Sequence, residues 1–403
     1  TLVTMAGGAN ATTAGGQSLK IVGDASFTGA FGATNALNIV SVSGVTSFGG
    51  GEIDSAGTQT YGNDVTLSGN QHLASTAGSV NFSGKIDSSN RSDLVLAANG
   101  PIQFRGAVGS ISPLGAMAIT ASGSVTFDSG VSAANLAEMA GGATVFTGAL
   151  TVDGAAGLQL TGAGFTFDGP VTASGGAIAL DDTDAAGTIG FAANANVIAA
   201  TGFTQTGGAI FMLPASIAVG SGPITFDIPA QLLSGAVSIT TNGDITMPGL
   251  FGPTTDLTLS SGTGAIKIGL EFGTPQQKID VATLTVPSAG SAILFGTVQN
   301  RNDALAASLI DSDLNGPPWF MNNTPWGPTD TISRIIGTIV ADVPEPSTPG
   351  VTSLFTGVID PDGIGPNALN AYTGQQVLFF GPSGGTSEDG TYVVNEGNNG
   401  NGQ

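Results

Sequence analysis

Hydrophobic and polar positions alternate in short bursts along most of this chain, and the bursts repeat. Residues 80–86 read VNFSGKI, 102–108 read IQFRGAV, 125–131 read VTFDSGV and 165–171 read FTFDGPV. Each has the form apolar-x-Phe-x-small-x-apolar. Phe82, Phe104, Phe127, Phe146 and Phe167 are separated by 22, 23, 19 and 21 residues, and Phe27 and Phe48 are 21 apart. Two positions before the Phe stands Val80, Ile102, Val125 or Phe165; four after it stands Phe31, Ile86, Val108, Val131, Leu150 or Val171. Alternation with period two predicts strands with one buried face. About ten residues ahead of each Phe lies a second alternating segment: Leu94 and Leu96, Met117 and Ile119, Leu158 and Leu160. The intervening AANGP, TASGS, TGAG and TASGG are turn clusters, where Gly, Asn and Ser supply positive φ and local side-chain bonds.

A unit of about 21 residues cannot bury its own apolar face, but stacked on a copy of itself it can. The pattern therefore predicts an all-β fold, a β-solenoid with coils of about 21 residues. Equivalent strands pair in parallel from coil to coil, and Phe lies over Phe inside. A large sandwich or barrel also uses short strands and Gly turns, but the fixed period over residues 20–171 favours the solenoid. Register loosens after residue 181, while segments such as GPITFDI and GAVSITTNGDITM keep the style. The expected solenoid spans 1–298, a rod of roughly 65–70 Å at about 4.8 Å per coil.

The pattern changes at 299–403, which reads as a mixed, non-repetitive capping or assembly region. NRNDALAASLIDSDLNG and DTISRIIGTIVAD read as short helices, VPEPSTPG as a rigid linker, and SLFTGVI, QQVLFF and TYVV as strands. Both tryptophans fall here. Trp319, Phe320 and Trp326 would plug the solenoid end or contact a partner, and the tail strand with Tyr392, Val393 and Val394 could complete a neighbour's sheet.

Composition narrows the function classes. Gly is 64 of 403 residues but not at every third position, which excludes collagen. Lys and Arg number 8 against 29 Asp and Glu, a net charge of −21, and the basic residues are scattered. Nucleic acid and anionic membrane are therefore poor partners. With no cysteine, disulfides, thiolate catalysis and Cys-ligated zinc are excluded. No apolar run approaches the roughly 18 residues of a transmembrane segment. A chain that starts at Thr1 reads as a processed chain or a fragment.

Candidate chemistry is sparse. His72 is the sole histidine, so His-rich metal sites are excluded, and no strand-turn-helix nucleophile elbow surrounds a serine. Asp128 and Asp168 both follow a phrase Phe, so both should point outward two coils apart, about 10 Å. That suits an inverting glycosidase pair, but Thr147 intervenes and a solvated face explains them better. Lys85 and Arg105 could neighbour each other on adjacent coils, as a lyase acting on an acidic sugar would require. The best cofactor candidate is calcium. DSDLNG places Asp311, Asp313 and Asn315 at alternate positions before Gly316, although Pro317-Pro318 and Asn322 depart from an EF-hand loop. DDTDAAG (Asp181, Asp182, Asp184) and DPDGIG (Asp360, Asp362) are weaker acidic clusters.

The phrases VNFSGKI, IQFRGAV, VTFDSGV and FTFDGPV, with the intervening LVLAANG and LQLTGAG, resemble the repeats of filamentous-haemagglutinin-type bacterial exoproteins, often exported by a two-partner route. The resemblance covers roughly residues 20–300. It implies a right-handed parallel β-helix and a role as adhesin or surface fibre, extracellular or at the bacterial cell surface. The expected protein is a non-enzymatic structural subunit that polymerises head to tail or meets a surface glycan or receptor. The alternative is a carbohydrate-active β-helix enzyme, a hydrolase or lyase. A groove lined by carboxylates or by Lys and Arg would favour the enzyme; a uniform Thr/Ser/Asn/Gly face would count against it.

Overall fold

The structure is a computed structural model and describes residues 1–268, 278–289, 293–295, 297–300, 376–378 and 391–393. Every regular element among the described residues is a strand. The chain forms two compact units, residues 1–200 with 205–209, and residues 201–204 with 210–403.

The first unit is a parallel β-solenoid with three strands to the coil. One ladder runs from Leu19–Ile21 to Thr188–Phe191 and carries the repeated phrase, with Val80↔Ile102, Ile102↔Val125 and Val125↔Thr144 in register. A second begins at Leu2–Met5, passes through Asp24–Phe27 and Thr46–Phe48, and ends at Asn196–Ala199. A third runs from Gly51–Ser55 through Gln71–Ser75 and Leu94–Ala98 to Ile178–Asp182. Val131–Ala140 is long because it serves two ladders, pairing with Leu150–Val152 at its start and Leu158–Gly162 near its end. The expected solenoid is thus the architecture, and alternate inward residues form the core.

Phenylalanine does lie over phenylalanine. Phe82, Phe104, Phe127, Phe146, Phe167 and Phe191 stack with centroids 4.4–5.2 Å apart and planes within 11° of parallel. In-register pairing forces this, because strands about 4.8 Å apart place identical side chains at stacking distance. Tyr61 takes the Phe position one coil earlier, stacked on Phe82 at 5.2 Å. Phe27 and Phe48, which share the 21-residue spacing, belong to the second ladder instead. The aromatic column changes ladders between Phe48 and Tyr61, which meet edge to face at 5.3 Å.

The corners explain the small residue of the phrase. A Cβ on Gly106 would lie 2.3 Å from the Gly84 carbonyl carbon, and one on Gly84 would lie 2.4 Å from that of Asn63. Successive corners approach too closely for a side chain.

The second unit repeats the plan. Ile224–Phe226, Ile245–Met247, Ile266–Ile268 and Ile293–Phe295 form one parallel ladder. Leu250–Ser260 and Lys278–Ser288 each span two ladders, and pairing reaches Thr297–Asn300. Phe211 meets Phe226 edge to face at 4.8 Å in its core. Gln376–Leu378 and Thr391–Val393 form an antiparallel pair, so two of the expected late strands are present and pair with each other. The helices expected within 300–316 and 330–342 lie, beyond Asn300, outside the described residues.

Candidate functional site

The outer face of the third ladder in the first unit holds an open trough of about 470 Å3. Period-two alternation places Ala74, Ala97, Thr120 and Met139 outward and in register across four coils. Beside them run the turn residues Thr76, Asn99, Ser122 and Gly141. Asn99 Nδ2 donates to the Thr76 carbonyl at 2.5 Å, and Ser122 Oγ donates to Asn99 Oδ1 at 3.5 Å, so the wall is bonded from coil to coil. Met139 is 61% exposed at one end. No ionisable side chain lines the trough. It offers small apolar and hydroxyl contacts, with no group able to transfer a proton near neutral pH.

Several carboxylates elsewhere on the surface are engaged with backbone. Asp93 N–H donates to Asn70 Oδ1 at 2.9 Å, and Asp93 Oδ1 accepts the Ala116 N–H at 2.8 Å one coil further on. Asp24 accepts from Val45, Asp64 from Lys85 and Asp244 from Ala265 in the same manner, each 21 residues ahead. Asp and Asn at the corners thus tie each coil to the next.

Asp128 and Asp168 are exposed and point outward, with Phe127, Phe146 and Phe167 in register beneath them. Thr147 lies between the two, and Asp128 Oδ2 accepts a bond from Gln103 Nε2 at 3.3 Å. Lys85 and Arg105 are not brought together. Lys85 lies beside Ala107, because Ile86 bonds the Ala107 carbonyl, and its Nζ is 3.9 Å from both Asp64 and Asp87. Arg105 Nε donates to Gln103 Oε1, two residues back in its own coil.

His72 is half-buried on the outer face, in register with Glu52 and Val95. Nearby, burial raises the Asp54 carboxyl above its ordinary range; Glu52 adds to the rise and His72 opposes it. Among the described residues, no three His, Asp or Glu side chains gather closely enough to hold a metal ion. In DDTDAAG, Asp181 and Asp184 are exposed while Asp182 turns inward, 3% exposed, against Gly187 and Gly208. The calcium candidates Asp311, Asp313 and Asn315, the aromatic residues Trp319, Phe320 and Trp326, the pair Asp360 and Asp362, and Val394 lie outside the described residues. Tyr392 and Val393 sit in the antiparallel pair, opposite Val377 and Gln376.

The alternation pattern conceals one residue. Glu138 points inward in the third ladder, 4% exposed, between Ile119 and Leu160. Its Oε1 accepts a hydrogen bond from Thr144 Oγ1, and Oε2 has no protein partner. Burial pushes its carboxyl up to about 7, against the pull of the Thr144 hydroxyl. Such a shift is what a general acid needs, but this side chain faces the closed interior.

Comparison with protein-family models, curated proteins and solved structures finds no match to this chain.

Proposed function

We propose that this protein is an extracellular structural subunit of a surface filament or adhesin, working through its coil faces and ends rather than through catalysis. The observation that carries this reading is the trough of the first unit. Its Ala, Thr, Ser, Asn, Gly and Met lining repeats in register and holds no acid, base or cation. A face of this kind suits a neutral extended polymer, such as a surface glycan, or a neighbouring subunit. Stacked coils bonded by ladders, corner carboxylates and an aromatic column resist bending and proteolysis, as a fibre element must. Homopolymerisation, calcium at Asp311, Asp313 and Asn315, and partner contact through Trp319, Phe320 and Trp326 belong to the same reading.

The test is negative-stain microscopy of the native protein with its mass in solution, followed by a screen against polysaccharides for binding and for chain cleavage. Filaments, or glycan binding without release of new chain ends, support the proposal; cleavage overturns it. One observation favours the enzymatic alternative: Asp128 and Asp168 stand outward two coils apart, about 10 Å, close to an inverting carboxylate pair. Cleavage abolished by Asp128→Asn and by Asp168→Asn would establish that alternative.

A further inference from the structure

Both inward-facing partners of the Glu138 hydrogen bond interrupt apolar columns. Glu138 stands where the coils above and below carry Ile119 and Leu160, and Thr144 stands between Val125 and Phe165. The two polar side chains therefore face each other within a single coil. All four flanking residues, Ile119, Leu160, Val125 and Phe165, are at most 2% exposed. One hydroxyl donor serves the carboxyl, and its second oxygen is buried without a protein partner. A charge placed there is desolvated among Ile119, Leu160, Val125 and Phe165 with no cationic side chain facing it, so the neutral form is favoured.

We propose that Glu138 makes the coil spanning residues 131–146 a proton-controlled joint of the first unit, closed while the buried carboxyl is protonated and opened more readily once it ionises. No other titratable group modifies this. The inward side chains of Leu114–Ala121, Val125–Phe127, Thr144–Phe146, Leu158–Gly162 and Phe165–Phe167 are all non-ionisable. Val131–Ala140 carries no other charged residue. The next inward carboxyl by register is Asp182, in the column Gly162↔Asp182 two coils on. The Arg91–Asp153 ion pair lies outside, on turns.

The sign follows from linkage. Glu138 titrates near 4.5 when exposed and about 7 in the folded chain. Between those values the folded state holds the extra proton, so local stability is greatest below pH 4.5. It falls as pH rises through the interval and levels off above it. The joint is tighter under mild acid than at pH 8.

The test is amide hydrogen exchange over residues 131–146 of the full chain at pH 5–8, corrected for intrinsic exchange rates. Wild type is compared with Glu138→Gln, which keeps the acceptor for Thr144, and Glu138→Leu, which completes the Ile119–Leu160 column. The opening constant of wild type should rise by more than about tenfold from pH 5 to pH 8 relative to either variant. Glu138→Leu should open less than wild type at pH 8. Identical pH profiles for wild type and Glu138→Leu would overturn the proposal. Carbon-13 NMR titration of the wild-type glutamate carboxyls tests it without any variant: a midpoint near neutrality supports it, and all midpoints in the ordinary carboxylate range refute it.

Discussion

A single ring position shows how much one residue can carry in this fold. Phe127 is fully buried between Phe104 at 4.4 Å and Phe146 at 4.8 Å, its ring nearly parallel to both. Phe127→Ala should cost about 3–5 kcal/mol, read from the denaturation midpoint, because it opens a cavity and removes two stacking contacts. Phe127→Leu keeps most of the volume and should cost less; equal costs would mean that the lost stacking, not the cavity, dominates. This column was legible before the structure, since identical residues at a fixed period must superpose when coils pair in register. Its exceptions were not. Tyr61 substitutes for Phe in the same slot, where its hydroxyl donates to Gln59 Oε1 at 2.9 Å. Gln59 in turn donates to the Ile53 and Ala74 carbonyls at 2.8 and 2.7 Å. A polar core of this kind follows from partners that meet only after coiling, so no local pattern announces it. Glu138 escaped for the same reason: a charged residue in an alternating strand is taken as outward until the register of both neighbouring coils is known.

At the scale of the coil, corners and ladders divide the work. The ladders supply backbone bonds, and the corners determine how closely coils can approach. Gly106→Ala should destabilise the first unit by about 1–3 kcal/mol, because the added carbon would strike backbone of the preceding corner, which cannot move aside as a flexible side chain can. The carboxylate ties predict a graded effect. Asp93→Ala strands the Ala116 N–H and should cost about 1 kcal/mol in urea unfolding, whereas Asp93→Asn retains the acceptor and should cost less. Asp244 adds a pH dependence. The Ala265 N–H, then Lys267, hold its carboxyl below the ordinary range. Its contribution is therefore complete above the unfolded value near 3.8 and is lost as pH falls through the lower folded value, opposite in direction to Glu138. Asn was visible in sequence as a turn former; that Asp and Asn bond forward by a whole coil needed the structure, because the partner lies more than 20 residues away.

For the whole molecule the governing number is the charge, 29 acidic against 8 basic residues. Among the described residues, Lys85, Arg91 and Lys267 are engaged in ion pairs, which leaves most carboxylates without a basic neighbour. Such a surface repels itself, and the repulsion is screened as the Debye length falls from about 30 Å at 0.01 M salt to about 3 Å at 1 M. Raising sodium chloride from low to half-molar concentration should therefore lift the thermal midpoint by about 2 °C or more, read by calorimetry. No rise would mean that the carboxylates are already compensated. Calcium provides the sharper comparison. At matched ionic strength a purely screening surface responds to calcium and magnesium alike. A site built from Asp311, Asp313 and Asn315 would add a rise specific to calcium, reversed by chelator and removed by Asp311→Asn. Equal curves for the two cations would leave screening as the whole effect and eliminate the calcium site. A calcium-specific rise would place Asp311, Asp313 and Asn315 among the groups that set the stability of the folded chain.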